Sequence, residues 1–494
     1  MTTVLPARTG HELLTEPAAV VVKLIGLTPG ALPDELTAGA DPSVGWIFQQ
    51  LRSLEQQAQP EEQLQSAALA TGGPTGLFRW VEYVRRLDTA GMLTRSITVD
   101  GRLLCSVGPL GTGPSDRPAA FDPGANQRIS RLAVLRVDGG RLLAQHPSSH
   151  LAVVLGTAGT EVVAMLTDWV GWRDIEQRVP GLTGDLVRAV LAQLVRAGVA
   201  EQLPADGDPT RLPSAAEQLW NPFDWWLHSR SRHPRTVAGW GGTYPGTGVL
   251  ERLPALPEPY AGRVVELPAP DLVSLLRGGR TLTDVMEARR SIREHDDARP
   301  ITLEQLGELL YRSARTRAVV GTSPGTEADT DEIVDRPYPG GGALHELEVY
   351  LVVRLCAGLD AGVWHYRSAD HALQWVSGIE EPAEQMLWAA QSASNMTGQP
   401  QVLLVMASRF GRLMYKYEAI AYALTLKHVG VLMQNLYLVA TDMAIAPTAI
   451  GSGDAGCFAT ITGRDPMAEG SVGEFIVGSL PSVIRPGPLS QWKD

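Results

Sequence analysis

The stretch MYKYEAIAYALTLKHVGVLMQNLYLVA, Met414–Ala440, constrains the fold most. After a polar and aromatic mouth it reads as a helix that is apolar on almost every face, so it must be covered on several sides by a large core. The interruptions at Gln434, Asn435 and Asp442 argue against a membrane span. A chain of 494 residues exceeds what one core serves, so two or three domains are expected. With 44% hydrophobic and 19% charged residues the composition is that of a globular protein. Packing does not account for the mouth of the helix, where Tyr415, Lys416, Tyr417, Glu418 and Tyr422 gather.

A formal net charge of −12 argues against nucleic-acid binding, which needs a basic face to neutralise phosphates. The three cysteines, Cys105, Cys356 and Cys457, are far apart and have neither disulfide-framework nor zinc spacing. His345, His365 and His428 likewise lack a metal-site spacing and read as structural. The first residues lack a basic leader followed by an apolar run. A reducing cytoplasm is therefore the expected location.

Along the chain, GLFRWVEYVRRLDTAGMLTRSITVDGRLLCSV reads as a helix followed by a hairpin with an Asp-Gly turn. RLAVLRVDGGRLLAQH repeats the hairpin, and LAVVLGTAGTEVVAML through Leu203 reads as helices. Two winged-helix-like modules, 1–127 and 128–205, are expected, with a peptide or protein partner at least as plausible as nucleic acid. Residues 206–275, rich in Pro, Gly, Arg and Trp, read as an ordered connector, with Trp225, Trp226 and Trp240 either packed or lining a peptide channel. From 276 to 494, two helices (TLTDVMEARRSIREHD and TLEQLGELLYRSAR, the latter with a Thr-x-x-Gln cap) precede strands, the long helix and further strands. This last part is an α+β domain.

Three segments have chemical potential. Arg289, Arg290, Ser291 and Arg293 can hold a phosphate through guanidinium forks and a hydroxyl, or can simply favour a helix dipole. Pro339, Gly340, Gly341 and Gly342 allow backbone to approach a flat ring or anion, or merely reverse the chain. Gly451, Ser452 and Gly453 lack the context of a Rossmann or P-loop site.

Taken in order, RRSIR, RPYPGGGALHELEVYLVV, GVWHY, MYKYEAIAY, HVGVLMQNLYLVA and AIGSGD, with HSRSR upstream, resemble the SagB-type peptide dehydrogenases, the azoline oxidases of the nitroreductase superfamily. The resemblance spans Leu227 to Pro481. It implies a C-terminal nitroreductase-like FMN-binding domain with N-terminal winged-helix-like peptide-recognition modules. It places the FMN phosphate and ribityl near Arg289, Ser291 and Arg293, and the ring against Pro339, Gly340, Gly341, Gly342 and Gly451, Ser452, Gly453. It makes Lys416 and Tyr417 the catalytic pair and implies a homodimer with flavins at the interface. The chain departs from the family pattern at His345, where a tyrosine is common, and at Ser479, where an arginine often follows the glycine.

The implied reaction is oxidation of thiazoline or oxazoline rings in a ribosomally made precursor peptide, with a cyclodehydratase as a further partner. A ring carbon loses a proton to a base and its neighbour loses a hydride to the flavin. A phenol of ordinary pKa, about 10, is a poor base, and a close ammonium favours its phenolate. Successive residues of a regular helix point about 100° apart, so Lys416 and Tyr417 converge only if the helix starts or frays there. Two other readings share the sequence: an NAD(P)H-dependent nitroreductase-like oxidoreductase acting on small molecules, and a catalytically degenerate scaffold of a cyclodehydratase complex.

Overall fold

The computed structural model describes residues 19–24, 46–47, 49–51, 53–54, 57–89, 92–99, 102–110, 120–210, 214–232, 241–321 and 331–482. The Asp100–Gly101 turn and Trp240 lie outside them. The chain divides into two compact units, Met1–Thr243 and Tyr244–Asp494. Among the described residues no helix is long and apolar enough to cross a membrane.

In the first unit the strands are β1 (Ala19–Leu24), β2 (Gln59–Pro60), β3 (Leu93–Val99), β4 (Arg102–Pro109), β5 (Asn126–Ile129), β6 (Val134–Asp138), β7 (Arg141–Gln145), β8 (Leu151–Leu155) and β9 (Ala200–Leu203). The helices are α1 (Glu61–Thr89), α2 (Thr157–Met165), α3 (Trp172–Arg178), α4 (Gly184–Arg196), α5 (Ala215–Leu219) and α6 (Pro222–Arg232). Both expected hairpins form, β3 with β4 and β6 with β7. The second turns on Gly139 and Gly140, whose φ values of 56° and 77° are those a two-residue hairpin loop requires.

The hairpins are not separate. Strand β8 pairs with both β4 and β7, giving one antiparallel sheet in the order β2-β1-β3-β4-β8-β7-β6. LAVVL is therefore a strand where the sequence suggested a helix. A short apolar run carries no periodicity to separate the two, and here the Val153–Val154 pair lies between two strands with all five residues buried. The amphipathic α4 covers the sheet with Leu186, Val187, Val190, Leu191 and Leu194. Trp225 and Trp226 donate to Ser148 Oγ and to the Leu132 carbonyl, within this same unit.

The second unit contains β10 (Val264–Glu266), β11 (Ala318–Val320), β12 (Ile333–Asp335), β13 (Leu347–Val353), β14 (Gly362–Arg367), β15 (Ala372–Ser377), β16 (Val402–Arg409), β17 (Ala446–Ile450) and β18 (Glu469–Gly478). Its helices are α7 (Leu272–Gly278), α8 (Leu282–Ala288), α9 (Leu303–Ala314), α10 (Glu381–Ser394), α11 (Phe410–Met414), α12 (Ala421–Asp442) and α13 (Ala455–Thr462). The antiparallel sheet runs β10-β15-β14-β13-β16-β18-β17.

Strand alternation divides the core in two. Leu347, Val349, Leu351, Leu404, Met406, Phe475 and Val477 face α9 and α12, while Tyr350, Val352, Leu403, Val405 and Ile476 face α10 and α13. The result is a three-layer α/β/α arrangement. Helix α12 lies against the strand backbone at Gly473, where a Cβ would come within 2.4 Å of Val429 Cγ1.

Two helix assignments change. α8 stops at Ala288, and residues 289–296 are extended along β17, with the Ile292 N–H donating to the Pro447 carbonyl and Thr448 Oγ1 to the Ile292 carbonyl. Competition from a sheet edge overrides helix propensity there. In α12, Gln434 is exposed rather than buried, and Asn435 donates to the Ser313 carbonyl. At α9 the expected cap is present as a full capping box between Thr302 and Gln305.

Candidate functional site

The mouth of the long helix is a break. α11 ends at Met414, α12 begins at Ala421, and Lys416 and Tyr417 occupy the turn between them. Freed from the 100° rule of a regular helix, both side chains reach one place. A Cβ built on Gly342 would lie 2.8 Å from the Tyr417 hydroxyl and 3.2 Å from Lys416 Nζ. Lys416 Nζ stands 6.0 Å from the centroid of the Tyr417 ring.

The loop beneath them is strained. Gly342, Ala343 and His345 have φ of 61°, 55° and 45°, and left-handed conformations at non-glycine residues cost on the order of 1–2 kcal/mol each. Gly340 approaches the His345 ring so closely that a Cβ would sit 3.1 Å from Nδ1. His345 itself is buried edge-on to Tyr338, its Nδ1 has no hydrogen-bond partner, and burial pushes its pKa down to about 3. This histidine is a neutral packing group.

Two side chains hold the loop in place. The Gly341 N–H donates to His428 Nε2 at 2.8 Å, so in the neutral ring Nδ1 carries the proton and donates to the buried Glu346 carboxylate, also at 2.8 Å. That amide is engaged by the protein itself. Arg412, on α11, donates to the carbonyls of Leu344, Leu253 and Glu332. Burial, followed by the neighbouring Arg409, lowers its pKa to about 10. The Lys416–Tyr417 turn and the end of the glycine loop are thereby braced as one piece. A cavity of about 260 Å3, bounded in part by Arg252, Asp331, Leu344 and Tyr415, adjoins this turn.

Ser291 and Arg289 lie at the other end of α12. Ser291 Oγ and the Tyr437 hydroxyl are 2.7 Å apart, and that hydroxyl accepts the Ala449 N–H at 2.8 Å. The Arg289 guanidinium lies 5.1 Å from the Tyr437 ring centroid. Arg293 is exposed, as are Gly451, Ser452 and Gly453 beyond β17. Beneath Gly453, which has no room for a Cβ, is Glu474; its Oε1 lacks a partner and burial pushes its pKa up to about 7. Ser479 does not extend this cationic group: its hydroxyl donates to the Asp296 carbonyl and its N–H to Gln401 Oε1.

His428 and Tyr437 are nine residues apart on α12, or roughly 13 Å along the axis. The structure thus gathers Pro339–Gly342 with Lys416 and Tyr417 at one end and Arg289 and Ser291 at the other, with the 451–453 loop over Glu474, the neighbour of Gly473. Sequence reasoning missed Asp331, Glu346 and Tyr437, and took His428 as merely structural. Their contacts span 82 to 146 residues of chain, and no local pattern encodes them. Among the described residues no group of His, Cys, Asp and Glu could hold a metal ion.

The residues present fit a flavin mononucleotide. The 451–453 loop is exposed and open at Gly451, Arg289 and Arg293 supply guanidinium donors suited to a phosphate, and Gly342 is exposed beside the Lys416–Tyr417 pair.

Residues 286–479 match the Nitroreductase family. A protein assigned to the nitroreductases from Methanocaldococcus jannaschii is 28% identical over 191 residues, 39% of this chain and 86% of that one. The microcin B17-processing protein McbC of Escherichia coli is 33% identical over 119 residues, 23% of this chain and 42% of that one. The trifolitoxin-processing protein TfxB of Rhizobium leguminosarum is 28% identical over 155 residues, 30% of this chain and 40% of that one. The alignment spans less than half of each of the two processing proteins.

Proposed function

Because the C-terminal unit of the chain is a nitroreductase-superfamily domain of the SagB type, we propose that the protein is an FMN-dependent dehydrogenase that oxidises thiazoline or oxazoline rings of a ribosomally made precursor peptide to thiazoles or oxazoles. The observation that carries this reading is the convergence of Lys416 Nζ and the Tyr417 hydroxyl above Gly342. A nitroreductase acting on small molecules needs the flavin but has no requirement for this pair.

Arg289, Ser291 and Arg293 would hold the phosphate and ribityl, and the 339–342 and 451–453 loops would contribute to the ring's site. Bound FMN supplies the hydride acceptor. Tyr417 acts in its phenolate form, taking the proton from the ring carbon and becoming a neutral phenol, and the Lys416 ammonium stabilises the phenolate before the transfer. The adjoining cavity gives room for a residue flanking the azoline. The N-terminal unit recognises the peptide by pairing an extended segment with a sheet edge. A homodimer would have the flavins at its interface, and a cyclodehydratase would deliver the azoline peptide.

The test begins with the visible spectrum of the purified protein and the mass of any released chromophore, followed by incubation with an azoline peptide. Yellow protein that releases FMN and removes two hydrogens per ring is the expected result. Protein that stays colourless with added FMN overturns the proposal.

A further inference from the structure

We infer that Asp331 is a positioning residue that holds the Lys416 ammonium above Gly342, acting with Tyr244 and Arg252 as a clasp on the 415–416 turn. The inference rests on the catalytic reading of Lys416 given above.

A lysine side chain has four rotatable bonds, and only an external partner can fix its nitrogen in one place. Asp331 provides that partner from a buried position. Its Oδ2 accepts from Lys416 Nζ and from the Tyr244 hydroxyl, each at 3.0 Å, while Oδ1 accepts from Arg252. Arg252 stacks over the Tyr415 ring with Cζ 4.4 Å from the centroid. The same segment grips the turn's backbone: Tyr244 N–H donates to the Lys416 carbonyl at 3.0 Å and Gly246 N–H to the Tyr415 carbonyl at 3.1 Å.

Gly246 is required for this approach, since a Cβ there would come within 2.6 Å of the Tyr415 ring. Main chain and side chain of residue 416 are thus fixed together, by a carboxylate 85 residues away in sequence. Burial disfavours the Lys416 charge, but the hydrogen bonds with Asp331 and Tyr244 outweigh it and the pKa is raised. Lys416 is held as a cation, suited to stabilising negative charge rather than to accepting a proton.

The experiment compares the full-length protein with Asp331→Asn in two readouts: the rate at which acetic anhydride labels Lys416, followed by peptide mass spectrometry, and turnover of an azoline peptide. Labelling is expected to rise about tenfold, as it would for a lysine losing one pKa unit of ion-pair protection. Turnover is expected to fall roughly 10- to 100-fold through kcat, with KM unchanged. In a Lys416→Met background the second substitution should cost nothing further, because both act through one ammonium.

Unchanged labelling, or additive losses in the double variant, overturns the inference. If labelling rises but Lys416→Met keeps full turnover, the catalytic reading has failed and the positioning role falls with it. Should Asp331→Asn not fold, Tyr244→Phe removes a single hydroxyl from the clasp and runs the same cycle, with additivity again the overturning result.

Discussion

The two ends of α12 are built on opposite principles. At its N-terminal end the chain is broken, strained and charged: a turn that interrupts the helix between Met414 and Ala421, a loop with two non-glycine residues at positive φ, and an ammonium locked to a carboxylate. At its C-terminal end Tyr437 joins Ser291 and Ala449 through neutral hydrogen bonds in a regular helix beside a regular strand. The contrast teaches how labour is divided. Two non-glycine residues at positive φ, Ala343 and His345, lie where the two side chains converge, whereas the anchoring end has one, Ala444, just past the helix, and Tyr437 itself sits in regular helix.

If that division is right, the largest effect comes from Tyr417→Phe. Turnover should fall by about 10²- to 10⁴-fold, the range for a lost general base, with flavin content unchanged. Measuring kcat beside flavin stoichiometry decides it, and an equal loss of turnover in Ser291→Ala would erase the distinction between the ends.

Next in size is a pH effect at Glu474, beneath the 451–453 loop. Glu474 keeps its proton in the folded state up to a pKa of about 7 but releases it near 4.5 when unfolded. Between those values the folded state binds more protons, so stability falls as pH rises, by up to about 3 kcal/mol above pH 7. Glu474→Gln should match the parent at or below pH 4.5 and unfold at higher denaturant concentration at pH 8. Equal midpoints at pH 8 would show that the carboxyl is solvated.

Tyr437→Phe leaves the Ala449 N–H without its acceptor, at a cost of about 1–3 kcal/mol in denaturant unfolding. Flavin affinity should weaken while kcat at saturating flavin is retained. Gly342→Ala is the smallest change in stability, about 1–2 kcal/mol from its positive φ. Because its Cβ meets the Tyr417 hydroxyl, it should lower turnover far more than stability, which thermal melting and kcat together will show.

Much of this architecture was legible in the sequence because it is written locally. The capping box at Thr302 and Gln305, the β3–β4 and β6–β7 hairpins and the glycine loop at Pro339–Gly342 all follow from short-range rules. The family motifs also pointed to the segments that now lie at the two ends of α12. Where the reading failed, a distant partner decided the outcome. LAVVL became a strand because β4 and β7 flank it, and residues 289–296 left the helix because β17 offers its edge. Lys416 and Tyr417 posed a geometric contradiction that only the break before Ala421 resolves. Asp331 carried no signal at all, since an acidic residue before a glycine loop looks like any solvated charge until Tyr244 and Arg252 are seen around it.

The seating of α12 on Gly473 has a mechanical consequence. With no side chain on the strand at that point, the helix rests through Val429 on bare backbone like a beam on its support, and its two ends share one datum. A methyl group at 473 would act as a shim under the middle of that beam. It would shift the Lys416–Tyr417 turn and the Tyr437 anchor in the same direction, leaving each intact and both out of alignment with whatever lies between them.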